Sequence, residues 1–245
     1  MQNYLSIVSR FFFIAYNTGY LKSNRIYYCH YFVKNLIKKG DKVIDIGANL
    51  GYYSVIFAKL VGDKGKVYAV EPVSFFRKVL TGNVSRYKNV EIVPYALGKF
   101  NNKKVKMGIP LSSGHLKHGR THIIDELKKD DCLHVSEATM YTPSALFGNL
   151  KRLDYIKCDI EGFELEVIPE FSGIISRFHP IVQIETADDS HKLIFEMMIN
   201  EGYKAFYVYS LKLLKIEKVT DYSYGDSIFI HASAIDRFSP ELFAN

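Results

Sequence analysis

The chain has 245 residues and 48% of them are hydrophobic, which is enough for one α/β domain with a filled core and excludes an intrinsically disordered chain. The net charge of +6 allows an acidic partner, either a nucleic acid or an anionic membrane surface, although the lysines are scattered along the chain. The three cysteines, Cys29, Cys132 and Cys158, are odd in number and lack metal-binding spacing. This usage disfavours a disulfide framework and a zinc site, and it predicts a cytoplasmic protein.

Residues 1–39 are rich in aromatic side chains. The apolar run Phe11 to Tyr16 is too short to span a bilayer, and no signal-peptide cleavage site follows it. We predict a helical extension that packs on the sheet edge and helps to close a ligand site. The alternative left open is a peripheral membrane contact, with the aromatic side chains in the interface and Arg10, Lys22 and Arg25 near lipid headgroups.

Strands and helices alternate between Gly40 and Gly98. Short apolar runs indicate buried strands, and apolar residues at helical spacing indicate the helices between them. Such alternation predicts a parallel sheet with right-handed crossovers. The predicted order is strand Val43–Ile46, helix Tyr52–Val61 ended by Gly62, strand Val67–Val70, helix Phe75–Tyr87 with Ser74 as its N-cap, and strand Val90–Pro94.

A glycine turn joins the first strand to the first helix. This arrangement predicts a nucleotide-like ligand against backbone N–H groups, with Gly47 giving the ligand room and Gly51 letting the helix pack near the strand. The turn lacks the three-glycine pattern of dinucleotide sites, and Asp45 would repel a phosphate. A carboxylate there suits a cationic amino group, such as that on the methionine end of S-adenosylmethionine.

The second predicted strand ends in Glu71, twenty residues after Gly51. A carboxylate in this place can accept both hydroxyls of a ribose. The third predicted strand is followed by Tyr95-Ala96-Leu97-Gly98, a loop that we expect to face the same crevice and to leave room for an adenine ring.

Residues 101–144 interrupt the alternation. Lys103 to Ile109 predicts an edge strand, and Ser112-Ser113-Gly114 predicts a turn. We interpret the stretch as an insertion over the crevice that helps to select an acceptor, since its basic character suits an anionic or glycan-linked substrate. No metal site is predicted from the histidines that one helix face would share, because Gly119 and the missing apolar stripe argue against that helix; they are His115, His118 and His122.

A second group of acids follows the predicted strand Tyr155–Cys158, with Asp159 at its carboxyl end and Gly162 providing a turn. Carboxylates at this density shift one another's pKa values, so we predict raised pKa values for Asp159 and Glu161. These acids would serve either next to a sulfonium cation or at a hydroxyl that one of them deprotonates. Glu166 is interpreted as a first-turn helix acid, and the role of Glu164 is left open. The acids would also suit a divalent metal, which the sequence leaves open but does not predict.

The remaining elements complete the predicted fold. It is a single doubly wound Rossmann-like α/β domain of residues 1–245, with a mostly parallel seven-stranded sheet and helices on both faces. The elements are strand Ile181–Glu185, helix Ser190–Glu201 closed by Gly202, and strands Ala205–Tyr209, Leu213–Val219 and Ser227–His231.

Two stretches, Val43 to Ser54 and Asp154 to Gly162, resemble the FkbM family of S-adenosylmethionine-dependent methyltransferases. The resemblance covers roughly Val43 to Glu185 and implies a class I methyltransferase fold, with S-adenosylmethionine as cofactor. It also implies O-methylation of a hydroxyl on a glycan, sugar-linked or secondary-metabolite acceptor. Supporting matches are Gly65 to Pro72, Asn83, Ala96-Leu97-Gly98, Pro180 and Glu185. The chain departs from the family at Val73, where asparagine is usual, and at Thr142 to Leu146, which lacks an acidic residue.

We therefore predict that Asp45 orients the ammonium group of the cofactor, Glu71 holds the ribose and Ala96 flanks the adenine. The methionine portion would lie along the turn. The full predicted set of cofactor-binding residues is Asp45, Gly47, Ala48, Asn49, Gly51, Tyr52, Glu71, Pro72, Ala96 and Asp159. The expected partner is a small-molecule or glycan acceptor, and the oligomeric state is not predicted.

Two rival functions remain. A nucleic-acid methyltransferase ranks low, and no nucleic acid is expected as partner, because an Asn-Pro-Pro-Tyr-type tetrad is missing and Cys158 does not follow a proline. The other rival is a catalytically silent membrane-surface module in which the aromatic residues of the N-terminal segment act.

Overall fold

The computed structural model describes residues 2–112, 115–116, 122–123, 132–187, 189–221 and 224–244. An N-terminal extension contains α1 (Gln2–Asn17) and α2 (Tyr28–Phe32) with short 3₁₀ turns between and after them. The elements that follow in chain order are β1 (Lys42–Ile46), α3 (Tyr52–Val61), β2 (Lys66–Val70), α4 (Ser74–Val84), β3 (Val90–Val93), β4 (Ala96–Leu97), β5 (Lys103–Ser112), β6 (His115–Leu116), β7 (His122–Ile123), β8 (Cys132–Tyr141), α5 (Pro143–Phe147), β9 (Tyr155–Cys158), α6 (Glu164–Val167), α7 (Ser172–Phe178), β10 (Ile181–Ala187), α8 (Asp189–Asn200), β11 (Tyr203–Tyr209), β12 (Lys212–Ile216) and β13 (Tyr224–His231).

The main sheet has the strand order β12-β11-β13-β10-β9-β1-β2-β3. Its five strands from β10 to β3 are parallel, and β13, β11 and β12 extend it in antiparallel fashion. The chain proceeds from β1 through β2 to β3 on one side and returns to β9 on the other, so a crevice forms at the carboxyl ends of β1 and β9. The predicted α/β fold class is confirmed, and the sheet has eight strands rather than seven because the hairpin of β11 and β12 adds both of its strands.

Alternate residues of the central strands enter opposite cores. Val43 of β1 packs with Phe32 and Phe57 from α2 and α3. Ile44, its neighbour, packs with Phe171 and Met198 on the other face of the sheet. Both faces of the parallel strands are covered, which explains why these strands are almost continuously apolar.

The predicted helix α4 was wrong at both ends. Ser74 is its first helical residue, and its N-cap is Val73, whose backbone N–H donates to the Glu71 side chain at 2.8 Å. The helix ends at Val84, three residues before Tyr87, because the chain turns there and the Tyr87 N–H donates to the Val84 carbonyl.

The insertion forms a second sheet of β4, β8, β5 and β6, with β7 also paired to β5. The predicted edge strand becomes one arm of a hairpin in which β5 pairs with β8 over most of its length. Ala96 and Leu97 are not a free loop, since they form β4 beside β8. Gly114, His118 and Gly119 lie outside the described residues, and the backbone at His115 and His122 is extended.

The N-terminal extension packs on helices as well as on the sheet. Asn83 of α4 donates to the Leu50 carbonyl in the glycine turn at 2.8 Å, and its side-chain oxygen accepts from Ser9 of α1 at 3.3 Å. Cys29 and Phe32 of α2 enter the core beside β11. None of the described helices combines the length and the apolar character needed to cross a bilayer.

Candidate cofactor and active site

A cavity of about 740 Å³ lies at the carboxyl ends of β1, β2, β9 and β10. One part of its wall comes from these strand ends and is rich in carboxylates. Another part comes from the N-terminal extension and is apolar and aromatic. The cavity is therefore amphiphilic, and its charged part lies at the switch point of the sheet, where ligands of such folds bind.

The glycine turn is shaped mainly by contacts within the protein. A Cβ added to Gly47, whose φ is +77°, would lie 1.9 Å from the carbonyl oxygen of Asp159, so this glycine allows the ends of β1 and β9 to meet. The N–H groups of Gly47 and Ala48 both donate to the Val70 carbonyl. These two N–H groups therefore join the turn to β2.

Gly51 is not among the described residues that line the cavity. Its φ is +88°, and an added Cβ would lie 2.6 Å from the Leu80 side chain of α4. The close approach that Gly51 permits is thus between the turn and a helix, and not between the helix and the strand as predicted.

Asp45 lies at the cavity wall with 1% of its surface exposed. Its Oδ2 accepts a hydrogen bond of 2.6 Å from the Ser54 hydroxyl, whereas its buried Oδ1 has no hydrogen-bond partner among the described residues. Burial raises the pKa of Asp45, and the Lys157 ammonium and the Ser54 bond oppose that shift. A buried acceptor without a donor is costly, so this oxygen fits a cationic donor such as the ammonium group of S-adenosylmethionine.

Glu71 is buried at the end of β2 and also lines the cavity. Each carboxylate oxygen accepts one backbone N–H at 2.8 Å, from Asn49 and from Val73. A carboxylate oxygen accepts two hydrogen bonds, so each retains capacity for a hydroxyl donor. Burial raises the pKa of Glu71 to about 7, even though the two N–H groups favour its ionised form.

The other predicted cofactor-binding residues are held by different contacts in and around the glycine turn and the segment after β2. Asn49 has a left-handed φ of 50°, and Tyr52 packs on Phe12 with ring centroids 4.1 Å apart. The carbonyl of Pro72 accepts a bond of 2.7 Å from Arg77, which fixes the segment after Glu71. Those that line the cavity are Asp45, Gly47, Ala48, Asn49, Tyr52, Glu71, Pro72, Ala96 and Asp159.

A buried lysine organises the acids at the end of β9. Lys157 lies in the cavity wall, donates to Asp159 at 2.7 Å and has its ammonium 4.5 Å from the centre of the Tyr53 ring. The charges of Asp159, Asp45 and Asp226 outweigh its burial and raise the pKa of Lys157. Lys157 is therefore a fixed positive charge among several carboxylates.

The predicted mutual rise in the pKa values of Asp159 and Glu161 was wrong for Asp159. Burial alone would raise the pKa of Asp159, but the Lys157 charge and a hydrogen bond from Glu185 hold it below its usual value. Partial burial of its carboxyl group and the negative charge of Asp159 instead raise the pKa of Glu185. Glu185 is therefore the weaker acid of this carboxyl pair, and Asp159 is the stronger acid.

The loop after Asp159 brings a third acid to the pair. Carboxylate oxygens of Asp159, Glu161 and Glu185 lie within 4.8 Å of one another. Glu161 has a left-handed φ of 57°. Glu164, whose role the sequence left open, is buried and accepts the N–H groups of Ile160 and Gly162 at 2.9 Å each. Glu164 thus holds the loop that presents Glu161.

The N-terminal extension supplies the apolar wall of the cavity. The sequence predicted that this extension helps to close a ligand site, but it did not predict which residues line it. His30 stacks on Tyr53 with ring centroids 4.1 Å apart, and burial and the Lys157 charge lower the pKa of His30 to about 3. Its imidazole is therefore neutral, which suits an apolar surrounding. The residues of the extension that line the cavity are Val8, Phe11, Phe12, Ala15, Leu21, Ile26, Tyr27 and His30.

Sequence reasoning missed four polar cavity residues, Lys157, Glu185, Asp226 and His30. One signal was present, because Lys157 and Asp159 are two positions apart at the end of a strand and must project to the same face. Glu185 was recognised at a strand end but was not assigned to the site. Asp226 faces Glu185 only through antiparallel pairing of β10 with β13, which the sequence does not encode locally.

Comparisons with known proteins find similarity to methyltransferases. A protein-L-isoaspartate O-methyltransferase of Methanothrix thermoacetophila is 34% identical over 59 residues, which are 23% of this chain and 28% of that protein. A probable cobalt-precorrin-6B C(15)-methyltransferase (decarboxylating) of Sulfolobus acidocaldarius is 31% identical over 104 residues, 36% of this chain and 54% of that protein. The chain thus spans about half the length of these relatives or less.

Fold similarity extends further than sequence similarity. The crystal structure of methyltransferase FkbM from Methylobacillus flagellatus KT aligns with 84% of this chain and 48% of its own, with a TM-score of 0.56 and 16% identity, and it shows the shared fold. The family model of the methyltransferase FkbM domain matches residues 45–205. This range includes the glycine turn, the acids Asp45 and Glu71, the acids from Asp159 to Glu164, and most of the parallel sheet. The chain belongs to the FkbM family of S-adenosylmethionine-dependent methyltransferases.

Proposed function

We propose that the protein transfers a methyl group from S-adenosylmethionine to a hydroxyl oxygen of a glycan, sugar-linked or secondary-metabolite acceptor. The observation that carries the cofactor assignment is the buried Oδ1 of Asp45 at the cavity wall, which has no hydrogen-bond partner in the described part of the chain. Glu71 supports it from the end of the neighbouring strand, because its two oxygens can each accept one more hydrogen bond. The hydroxyl specificity rests on the family resemblance and on the carboxyl pair beside the cavity.

The residues have separate roles in holding the cofactor. The Asp45 carboxylate accepts a hydrogen bond from the ammonium group, and the Glu71 carboxylate accepts hydrogen bonds from the ribose hydroxyls. Ala48 and Asn49 line the methionine portion, and Ala96 lies beside the adenine ring. Because Asn49 and Glu71 are joined by a hydrogen bond of 2.8 Å, the contacts to the two ends of the cofactor are held in a fixed relation before it binds.

When bound, S-adenosylmethionine would supply an electrophilic sulfonium methyl group, whose carbon forms a bond to the acceptor oxygen as its bond to sulfur breaks and S-adenosylhomocysteine leaves. The task left to the protein is to place the hydroxyl and accept its proton. We assign the proton-accepting role to Glu185 in its ionised form, because its raised pKa makes it a stronger base than Asp159. Asp159, held by Lys157, positions Glu185, and Glu161 completes the acidic side of the cavity.

Methyl transfer from S-adenosylmethionine carrying a radiolabelled methyl group tests the proposal. Hydroxyl acceptors, including sugars and polyketide alcohols, are offered with the full chain, and the labelled product is treated with mild alkali. An ether methyl survives this treatment, whereas a methyl ester releases methanol. Labelled product that is stable to alkali and requires the acceptor hydroxyl supports the proposal, and alkali-labile label would instead show carboxyl methylation.

The acids provide a second test. Glu185→Gln is expected to lower turnover by about 10²- to 10⁴-fold, the usual contribution of a general base, with little change in cofactor affinity. Glu166→Gln is the matched control, because Glu166 pairs with Lys99 at the surface at 2.6 Å. Unchanged turnover in Glu185→Gln would remove Glu185 as the base.

A further inference from the structure

The outer face of α1 carries a line of exposed apolar side chains. Tyr4, Ile7, Phe11 and Ile14 follow one another at intervals of three or four residues, so they share one side of the helix. Tyr20 and Ile26 continue the line through the turns after α1. These six residues, which we call the N-terminal apolar stripe, are between 51% and 79% exposed. Large apolar side chains concentrated in this way mark a binding surface rather than ordinary scattered exposure.

The charged residues of the N-terminal segment all have one sign. Residues 1–40 contain six of the 32 basic residues and none of the 26 acidic ones, so the remaining 26 basic residues equal the acidic residues in number. The whole net charge of +6 therefore resides in this segment. Arg10, Lys22 and Arg25 lie beside the stripe and are exposed. An exposed apolar helix face in a segment with basic and no acidic residues is typical of helices that lie in the headgroup region of a membrane.

The stripe is continuous with the cavity. Phe11 and Ile26 are exposed and also line the cavity wall. Val8, Phe12 and Ala15, on the adjoining side of α1, line it as well. The apolar part of the cavity therefore opens at the stripe, and a surface that covered the stripe would meet its mouth.

We propose that the N-terminal apolar stripe docks on an anionic lipid bilayer, with α1 parallel to the membrane surface. Charge favours this occupant over a second copy of the chain, because pairing two stripes would bring together two segments that each carry six basic residues and no acidic residue of their own. Anionic headgroups supply the missing negative charge. The docking depends only on the exposed face of the segment and goes beyond the proposed methyl transfer, so its test does not require activity.

The test is sedimentation of the full chain with vesicles of phosphatidylcholine alone or mixed with phosphatidylglycerol. Binding is expected to the mixed vesicles and to weaken as salt is added. The triple variant Arg10→Gln, Lys22→Gln, Arg25→Gln is expected to bind about a hundredfold more weakly, from about fivefold for each basic residue. Lys88→Gln, Lys192→Gln, Lys204→Gln is its control, since these exposed lysines lie outside the segment.

A second variant tests the apolar part. Tyr4→Gln, Ile7→Gln, Ile14→Gln changes only stripe residues that do not line the cavity, and it should lose vesicle binding while keeping its thermal unfolding midpoint. The control is Phe100→Gln, Leu193→Gln, Ile199→Gln, which removes exposed apolar side chains elsewhere. The proposal would be overturned if the folded wild-type protein did not bind the mixed vesicles. It would also be overturned if the folded stripe variant bound them as strongly as the wild type does. A lipid-free dimer that this variant dissociates would assign the stripe to an interface between copies.

Discussion

The affinity for S-adenosylhomocysteine should fall as the pH falls below 7, and Glu71 should cause the change. Its pKa is about 7 in the free protein because the carboxyl is buried. Ribose hydroxyls donate hydrogen bonds to the ionised form, so the ligand lowers the pKa of Glu71 when it binds. The contribution of Glu71 to affinity is therefore fully present above pH 7 and is lost as the pH decreases through that value.

The size of the expected loss of affinity follows from the difference between the pH and the pKa of Glu71. At pH 5.5, about 1.5 units below the pKa, most Glu71 side chains must lose a proton before binding, which weakens affinity about thirtyfold, or about 2 kcal/mol. Calorimetric titration with S-adenosylhomocysteine between pH 5.5 and 8.5 measures this directly. The uptake or release of protons, obtained from buffers of different ionisation enthalpy, should show about one proton released near pH 6.

Glu71→Gln isolates the carboxylate. The amide preserves the shape but keeps only one acceptor oxygen, so it loses a bond to either Asn49 or Val73 and should cost about 1–3 kcal/mol of folding stability. Its affinity for S-adenosylhomocysteine should be weak and independent of pH in this range. Glu91→Gln, at a surface pair with Lys66, should retain the wild-type profile. A folded Glu71→Gln protein with the same pH slope as wild type would refute the assignment of Glu71.

Three further predictions concern other positions. Asp45→Asn should weaken binding of S-adenosylhomocysteine by about 10- to 100-fold, the range of a charge-assisted hydrogen bond, and calorimetry showing wild-type affinity would refute the ammonium contact. Turnover should rise with pH as Glu185 ionises, and Glu185→Gln should flatten that rise; a rise that persists in the variant would point to another group. Gly47→Ala should destabilise the fold by about 3 kcal/mol or more in urea denaturation, because its Cβ would overlap the Asp159 carbonyl at a φ of +77°. Gly82→Ala, whose Cβ meets nothing within 4 Å in α4, should be neutral or stabilising, and equal effects of the two changes would contradict this account.

The sequence contained most of the information about the wall of the cavity that we propose holds the cofactor. Apolar runs place β1, α3, β2 and β9 within a residue of their observed bounds, because each is a buried element whose local pattern and tertiary environment agree. Asp45 and Glu71 follow from strand ends in a parallel sheet, and both do line the cavity. Asp45 and Glu71 could be placed at the cavity from the sequence because their positions depend on local strand and turn patterns.

The acceptor side depends on contacts between distant parts of the chain. The difference in pKa between Asp159 and Glu185 requires the pairing of β9 with β10, and it also depends on Lys157, which is buried in β9 and donates to Asp159. The position of His30 over Tyr53 requires the path of the N-terminal extension, for which the sequence offered two alternatives. Ala96 was expected in a loop because a two-residue strand paired with a segment more than forty residues later has no local signature.

The bridge through Asn83 has a thermodynamic consequence. One amide group touches both the turn that carries Ala48 and Asn49 and the helix that carries the stripe, through Leu50 and Ser9. Linkage requires that any factor by which docking of α1 changes the affinity for cofactor is the factor by which cofactor changes the affinity for lipid. If docking on a membrane tightened cofactor binding, the membrane would thus bind the cofactor-bound protein more strongly than the cofactor-free protein. The doubly bound state would then be favoured when both lipid and cofactor are present.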